Sequence, residues 1–164
     1  MKHIQKYAII LVLFGLVIFF SFLSPYFLTQ QNLTNIFVQQ SYVIIAAVGL
    51  SFVMISGGMD LSIGYLISVV GVTTAALLKW VGLPLPVAIL AGLATGTLLG
   101  VFNGWASVKL KVHTLIITLG TMTIFQGLSY IISNQSVILN LPAEFKYIGQ
   151  GYVFDLIPFS VILM

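Results

Sequence analysis

Few residues in this chain have the chemistry to act on anything, and one stands apart. Asp60 lies within Ile55-Ser56-Gly57-Gly58-Met59-Asp60-Leu61-Ser62-Ile63-Gly64, between two long apolar runs. No other charged side chain occurs between Lys6 and Lys79. A carboxylate at bilayer depth is costly, about 2.5–3.5 kcal/mol at a helix centre, so it needs a structural or functional reason. Two roles fit it. In the first, Gly57 and Gly58 end one helix, because glycine readily takes the left-handed conformation of helix C-termini. Asp60 then caps the next helix, accepting from the amides around Ser62 and Ile63 with the helix dipole stabilising its charge, and Ser62 is a second cap candidate. In the second, Asp60 faces a polar cavity and meets a substrate, an ion or a partner. The two are compatible, since interrupted helices are tolerated in membrane proteins where they line cavities or pack in protein.

The other polar candidates are weaker. Thr114, Thr118 and Thr121 share a helix face, with Gln126 further along. They form a candidate polar path. The simpler reading is that each threonine bonds its own backbone carbonyl four residues back. His113 lies beside Lys109 and Lys111 and reads as an interfacial histidine. His3 and His113 lack the spacing of metal ligands, and with no cysteine there is no disulfide framework and no cysteine-based metal or redox site.

The elements that position these residues are membrane helices. The chain is 60% hydrophobic and 5% charged, far below the roughly 25% charge of soluble domains, and its mean hydropathy is +1.16. Its net charge of +3 is spread along the chain and forms no nucleic-acid patch. A membrane helix needs about 20 apolar residues. The pattern predicts spans at roughly 7–24, 36–56, 61–79, 84–107 and 112–133, and the start of a sixth from 156. The expected fold is therefore all-α and polytopic, with about five complete spans. Residues 1–164 form one membrane unit with no soluble domain, expected to be the N-terminal part of a longer protein. The first span reads as a retained helix and not a signal peptide: it is long and aromatic-rich, and no Ala-x-Ala-like site follows it.

Placing Lys2 and Lys6 in the cytoplasm puts the Gly-Gly-Met-Asp region, Lys109 and Lys111 toward the inside. Lys79 and the 134–155 loop, with Glu144, Lys146 and Asp155, fall outside. This agrees with the positive-inside rule, and Trp80 and Trp105 sit near helix ends as interfacial anchors. The polar 24–35 segment is expected to hold a short interfacial helix, with a cap for the second span among residues 32–35. The 134–155 loop, rich in both turn-forming and aromatic residues, is expected to be an ordered cover. In the fourth span Ala88, Gly92, Gly96, Gly100 and Gly104 recur every fourth residue, which places them on one face. Small residues there predict a tight helix crossing.

Taken in order, these segments resemble a known family. The Ile55–Gly64 stretch looks like the hallmark motif of the ribose/xylose/arabinose-type permeases of bacterial ABC importers. Gly100-Val101-Phe102-Asn103-Gly104 resembles the family's Gly-x-x-Asn-Gly, and Thr118-Leu119-Gly120-Thr121-Met122 its Thr-Leu-Gly-Thr-Met. Phe27-Leu28-Thr29 with Asn32, Leu33 and Asn35 fits its N-terminal pattern. His113-Thr114 stands where the family often has a proline-containing segment. The resemblance implies a transport subunit of the bacterial cell membrane, not an enzyme, carrying a monosaccharide by alternating access. It implies a second permease subunit, an extracytoplasmic sugar-binding protein and a cytoplasmic ATPase holding ATP and magnesium. No cofactor is expected in this chain, and no Gly-x-x-x-x-Gly-Lys-Ser/Thr phosphate loop occurs. By the same resemblance, Gly57, Gly58, Asp60, Ser62 and Gly64 shape a helix break near the pathway, and Asn103 ties that core to a neighbouring helix. Permeases for branched-chain amino acids or nucleosides are the near alternative, and an inactive membrane fragment the distant one. The Asp-Leu-Ser form of the motif favours sugar.

Overall fold

A computed structural model of the chain describes residues 2–153 and 157–164. Asp155 and the start of the sixth span at 156 lie outside the described residues, as do the side chains of Lys2 and Lys6. The helices are α1 (Lys2–Leu23), α2 (Gln30–Ile55), α3 (Ile63–Ala76), α4 (Leu85–Leu110), α5 (Thr114–Ser133), α6 (Ala143–Gln150) and α7 (Phe159–Ile162). A π-helical turn, Leu77–Val81, prolongs α3 as far as the left-handed Gly82. Among the described residues, four helices are long and apolar enough to cross a membrane: α2, α3 with its π turn, α4 and α5. The described apolar part of α1, Tyr7–Leu23, is shorter.

Helix α3 is the hub, packed mainly on α5 and α4. Its contact surface is unlike a soluble core. The buried side chains include Val69, Ala88 and Phe125, but also Thr74, Asn103, Ser107, Thr118, Thr121 and Ser129. Large apolar residues such as Ile67, Leu90, Leu98 and Ile116 point outward. Lipid is as apolar as leucine, so burying leucine gains little there, and close contact falls to small and hydroxyl-bearing residues.

The glycine face of α4 divides in two. A Cβ on Gly92 would collide with Thr74 Oγ1, and one on Gly96 would lie 2.8 Å from Val70 Cγ2. With the fully buried Ala88, these make the tight crossing on α3. Gly100 and Gly104 do not continue it, for a Cβ at either meets nothing within 4 Å.

Two boundaries move from their expected places. Helix α2 starts at Gln30, with Thr29 as its cap: Thr29 Oγ1 accepts from the Asn32 amide at 3.3 Å. Asn32 is not the cap; its side-chain amide donates back to the Phe27 carbonyl. Past α5 the described residues form α6 and then a short antiparallel pair, Tyr152–Val153 (β1) with Ile157–Pro158 (β2). Tyr42 Oη on α2 donates to the Gly149 carbonyl at 2.8 Å and anchors this cover. Where the described part of the run read as the start of a sixth helix begins, Ile157–Pro158 is a strand, and helix begins at Phe159. Proline's fixed φ suits it to the position just ahead of a helix.

Candidate functional site

The break between α2 and α3 begins as a Schellman motif. Gly57 is left-handed, with φ +81°. Its amide donates to Met54 O and that of Gly58 to Val53 O, both at 3.0 Å. This is the paired bonding that satisfies the last carbonyls of a helix. Gly58 serves a different need. A Cβ there would sit 3.2 Å from both Thr114 Oγ1 and Val53 Cγ1, so glycine lets the strap approach α5. Gly64 shows neither feature, and nothing in the structure explains glycine there.

From Gly58 the strap lies against α5. The Met59 amide donates to Thr114 Oγ1 at 2.9 Å and the Leu61 amide to Thr118 Oγ1 at 3.2 Å. Thr118 Oγ1 lies 3.3 Å from both Met59 O and Leu115 O. Thr114 and Thr118 therefore satisfy backbone amides that the helix interruption leaves without helical partners. The expectation that they bond carbonyls four residues back on their own helix is corrected. Further along α5 the polar side chains bond locally. Thr121 bonds Thr118 O at 3.4 Å, and Gln126 Nε2 reaches Tyr130 Oη.

Asp60 is half-buried at the far end of the strap. Its Oδ1 accepts from the Ser62 amide at 2.7 Å and from Ser62 Oγ at 2.6 Å. The expected cap shifts accordingly: Ser62, not Asp60, is the residue preceding α3, and the Ile63 amide is not a partner of the carboxylate. Ser62 adopts a helical conformation and makes no side-chain cap. A capping side chain ordinarily projects from extended backbone, which Ser62, at φ −82° and ψ −11°, does not adopt. Asn103 Nδ2 on α4 then donates to Ser62 Oγ at 2.9 Å, with both residues buried. The result is a relay from α4 through Ser62 to the carboxylate. With Asp60 Oδ1 accepting, the Ser62 hydroxyl spends its proton there, and its oxygen faces the amino end of Asn103. Asn103 Oδ1 is consequently left buried with no partner.

The depth of the break follows from α4. Its 26 residues span about 39 Å, against about 30 Å of hydrocarbon. Asn103 lies two turns before the end at Leu110, or about 10 Å. In a centred helix that is roughly 6 Å inside the hydrocarbon edge. On that placement Asp60 lies nearer the boundary than the midplane, where a charge is cheaper.

Two recesses flank the break. An inner cavity of about 180 Å³ is lined by Val53, Asp60, Gly100, Asn103, Thr118 and neighbouring residues. A wider one of about 440 Å³ opens beside Gly57, Gly58, Val112 and His113. The sequence pattern did not single out Ser107, which donates to Asn103 O and lines both recesses; its place one turn after Asn103 was the available signal. Nor did it assign His113 as the cap of α5, where Nδ1 accepts from the Leu115 amide at 3.2 Å. Among the described residues no group of three His, Cys, Asp or Glu side chains could hold a metal ion.

Comparison with known proteins bears on this arrangement. The family described as branched-chain amino acid transport system / permease component matches residues 32–162. Among curated proteins, the chain is 33% identical over 155 residues to the xylose transport system permease protein XylH of Haemophilus influenzae. That match covers 94% of this chain and 41% of the relative. It is 34% identical over 152 residues to XylH of Escherichia coli K12, covering 92% and 39%. It is 36% identical over 142 residues to the D-allose transport system permease protein AlsC of E. coli K12, covering 86% and 44%. The chain thus spans about two fifths of the length of these relatives. No solved structure gives a significant match.

Proposed function

The chain belongs to the branched-chain amino acid transport system / permease component family, and on that premise we propose that it is part of the permease subunit of a binding-protein-dependent ABC importer for a ribose-like monosaccharide. Residues 1–164 contribute one portion of a single transmembrane domain. The full subunit pairs with a second permease subunit in the bacterial cell membrane. It receives sugar from an extracytoplasmic binding protein and is driven by a separate ATPase that holds ATP and magnesium. The N-terminus faces the cytoplasm, so the helix break and the α4–α5 turn lie on the ATPase side.

One observation carries the reading: the break at Gly57–Ser62 is held by polar bonds from two other spans. A helix interruption of this kind, placed where it borders a cavity, is characteristic of membrane transport sites. The sugar assignment draws on the relatives, which are named for xylose and D-allose transport, although the family description itself names branched-chain amino acids. The test is uptake of labelled D-xylose, D-allose, D-ribose and L-leucine by cells carrying the complete importer. Uptake of one of the sugars, reduced by Asp60→Asn at unchanged membrane level, supports the reading. Uptake of leucine alone overturns it. Loss of the protein from the membrane in Asp60→Asn assigns the carboxylate to folding only.

A further inference from the structure

The lower half of the α4 glycine face has no packing role, since a Cβ on Gly100 or Gly104 would touch nothing. Both residues line the cavity at the break. That cavity and the wider recess share Ser56, Gly104, Ser107 and Thr114. They form one crevice running from the α4–α5 turn to Asp60 and Asn103. At its inner end, Asn103 Oδ1 is buried and meets no donor from the protein; the residue itself is 4% exposed. Both hydrogen bonds to Asp60 end on Oδ1, which leaves Oδ2 without one. Thr114 Oγ1 accepts from the Met59 amide and keeps its own proton to donate.

We propose that this crevice is a polyol subsite, in which Asp60 Oδ2 and Asn103 Oδ1 accept from sugar hydroxyls and Thr114 donates to one. The inference rests on the transport reading above. The lining is rich in acceptors and short of donors, and a polyol supplies a donor at each hydroxyl. Leaving a buried acceptor unmatched is unfavourable, so a guest that brings O–H groups is selected over an apolar one. The inner volume is below the roughly 300–1,000 Å³ of drug-sized pockets and on the scale of one small polyol. Glycine at positions 100 and 104 keeps a flat wall against which the C–H face of a sugar ring can lie. A bare metal cation fits less well, because hard cations take six or more oxygens and often several carboxylates, whereas Asp60 is the lone carboxylate here.

Two measurements on the complete importer test this. A Cβ at residue 104 meets nothing within 4 Å, so Gly104→Leu directs its bulk into the crevice, and sugar uptake falls at least about tenfold by steric exclusion at unchanged membrane level. Gly100→Cys introduces the sole thiol of this chain, and its labelling by a water-soluble thiosulfonate slows at least about twofold with saturating transported sugar but not with leucine. Wild-type uptake in Gly104→Leu, or labelling of Gly100→Cys that sugar does not slow, overturns the subsite while leaving the transport reading intact. If Gly104→Leu fails to reach the membrane, the labelling result alone decides. A wild-type importer that moves none of the three sugars overturns both readings.

Discussion

Replacing Ser62 with alanine strikes the side chain that ties the strap ahead of α3 to α4. Ser62→Ala removes the short O–H···O bond to Asp60 Oδ1 and the acceptor for Asn103 Nδ2. Hydrogen bonds to charged groups contribute about 1.5–3 kcal/mol in water-soluble proteins. Side-chain bonds between membrane helices average nearer 0.6 kcal/mol, with a maximum near 1.7, because unfolded segments in lipid find other partners. The Ser62 amide still donates to Asp60 at 2.7 Å, so the carboxylate keeps one partner. Asn103, already lacking a partner for Oδ1, then loses one for Nδ2 as well. Orphaning such a buried group costs about 1–3 kcal/mol. The sum is about 2–4 kcal/mol of lost stability, most of it from the orphaned amide. The assay is reversible unfolding of the purified permease in bicelles, for wild type, Ser62→Ala, Asn103→Leu and the double variant. The relay requires the two changes to couple by at least about 1 kcal/mol, since Ser62→Ala does less harm once Asn103 is gone. Additive effects, or a loss below about 0.5 kcal/mol in Ser62→Ala, would refute the relay as the tie between α3 and α4.

Other outcomes follow from the same geometry. Gly57→Ala, forced to φ +81°, lowers stability by about 1–2 kcal/mol, and Gly57→Asn by less; equal stability of all three proteins would remove the left-handed requirement. Gly96→Leu overpacks against Val70 and lowers stability by about 1–3 kcal/mol, whereas Gly100→Ala leaves it within about 0.5 kcal/mol. Equal unfolding of those two variants would contradict the divided face. Thr118→Val removes the acceptor for the Leu61 amide, and amide hydrogen exchange at Leu61 accelerates while α5 stays protected; unchanged exchange would detach the strap from α5.

How much of this was legible beforehand differs from residue to residue. The all-α membrane fold was readable, since long apolar runs separated by sparse lysines leave few alternatives. The break was readable at Gly57, because a glycine pair after an apolar run is a helix stop with a known conformation. The start of α2 was misplaced because Thr29 and the asparagines after it are all good caps, and only the backbone bond pattern chooses among them. The glycine repeat was read as one continuous crossing. Periodicity reports which residues share a face, but not where the opposing helix leaves it.

By itself the sequence determined that the chain lives in a bilayer, that its second and third spans are interrupted at a carboxylate, and that one face of the fourth can pack closely. Each follows from local composition and period, which need no partner to be true. Tertiary structure alone decided the role of that carboxylate. Asp60 is held by Ser62, Ser62 by Asn103, and the strap by Thr114 and Thr118, across sequence separations of 41 to 59 residues between the strap and its partner helices. It likewise decided that Gly100 and Gly104 border a crevice in place of a helix. Unwound backbone in a membrane must find its hydrogen bonds within the protein, and which side chains supply them is settled only when the helices meet.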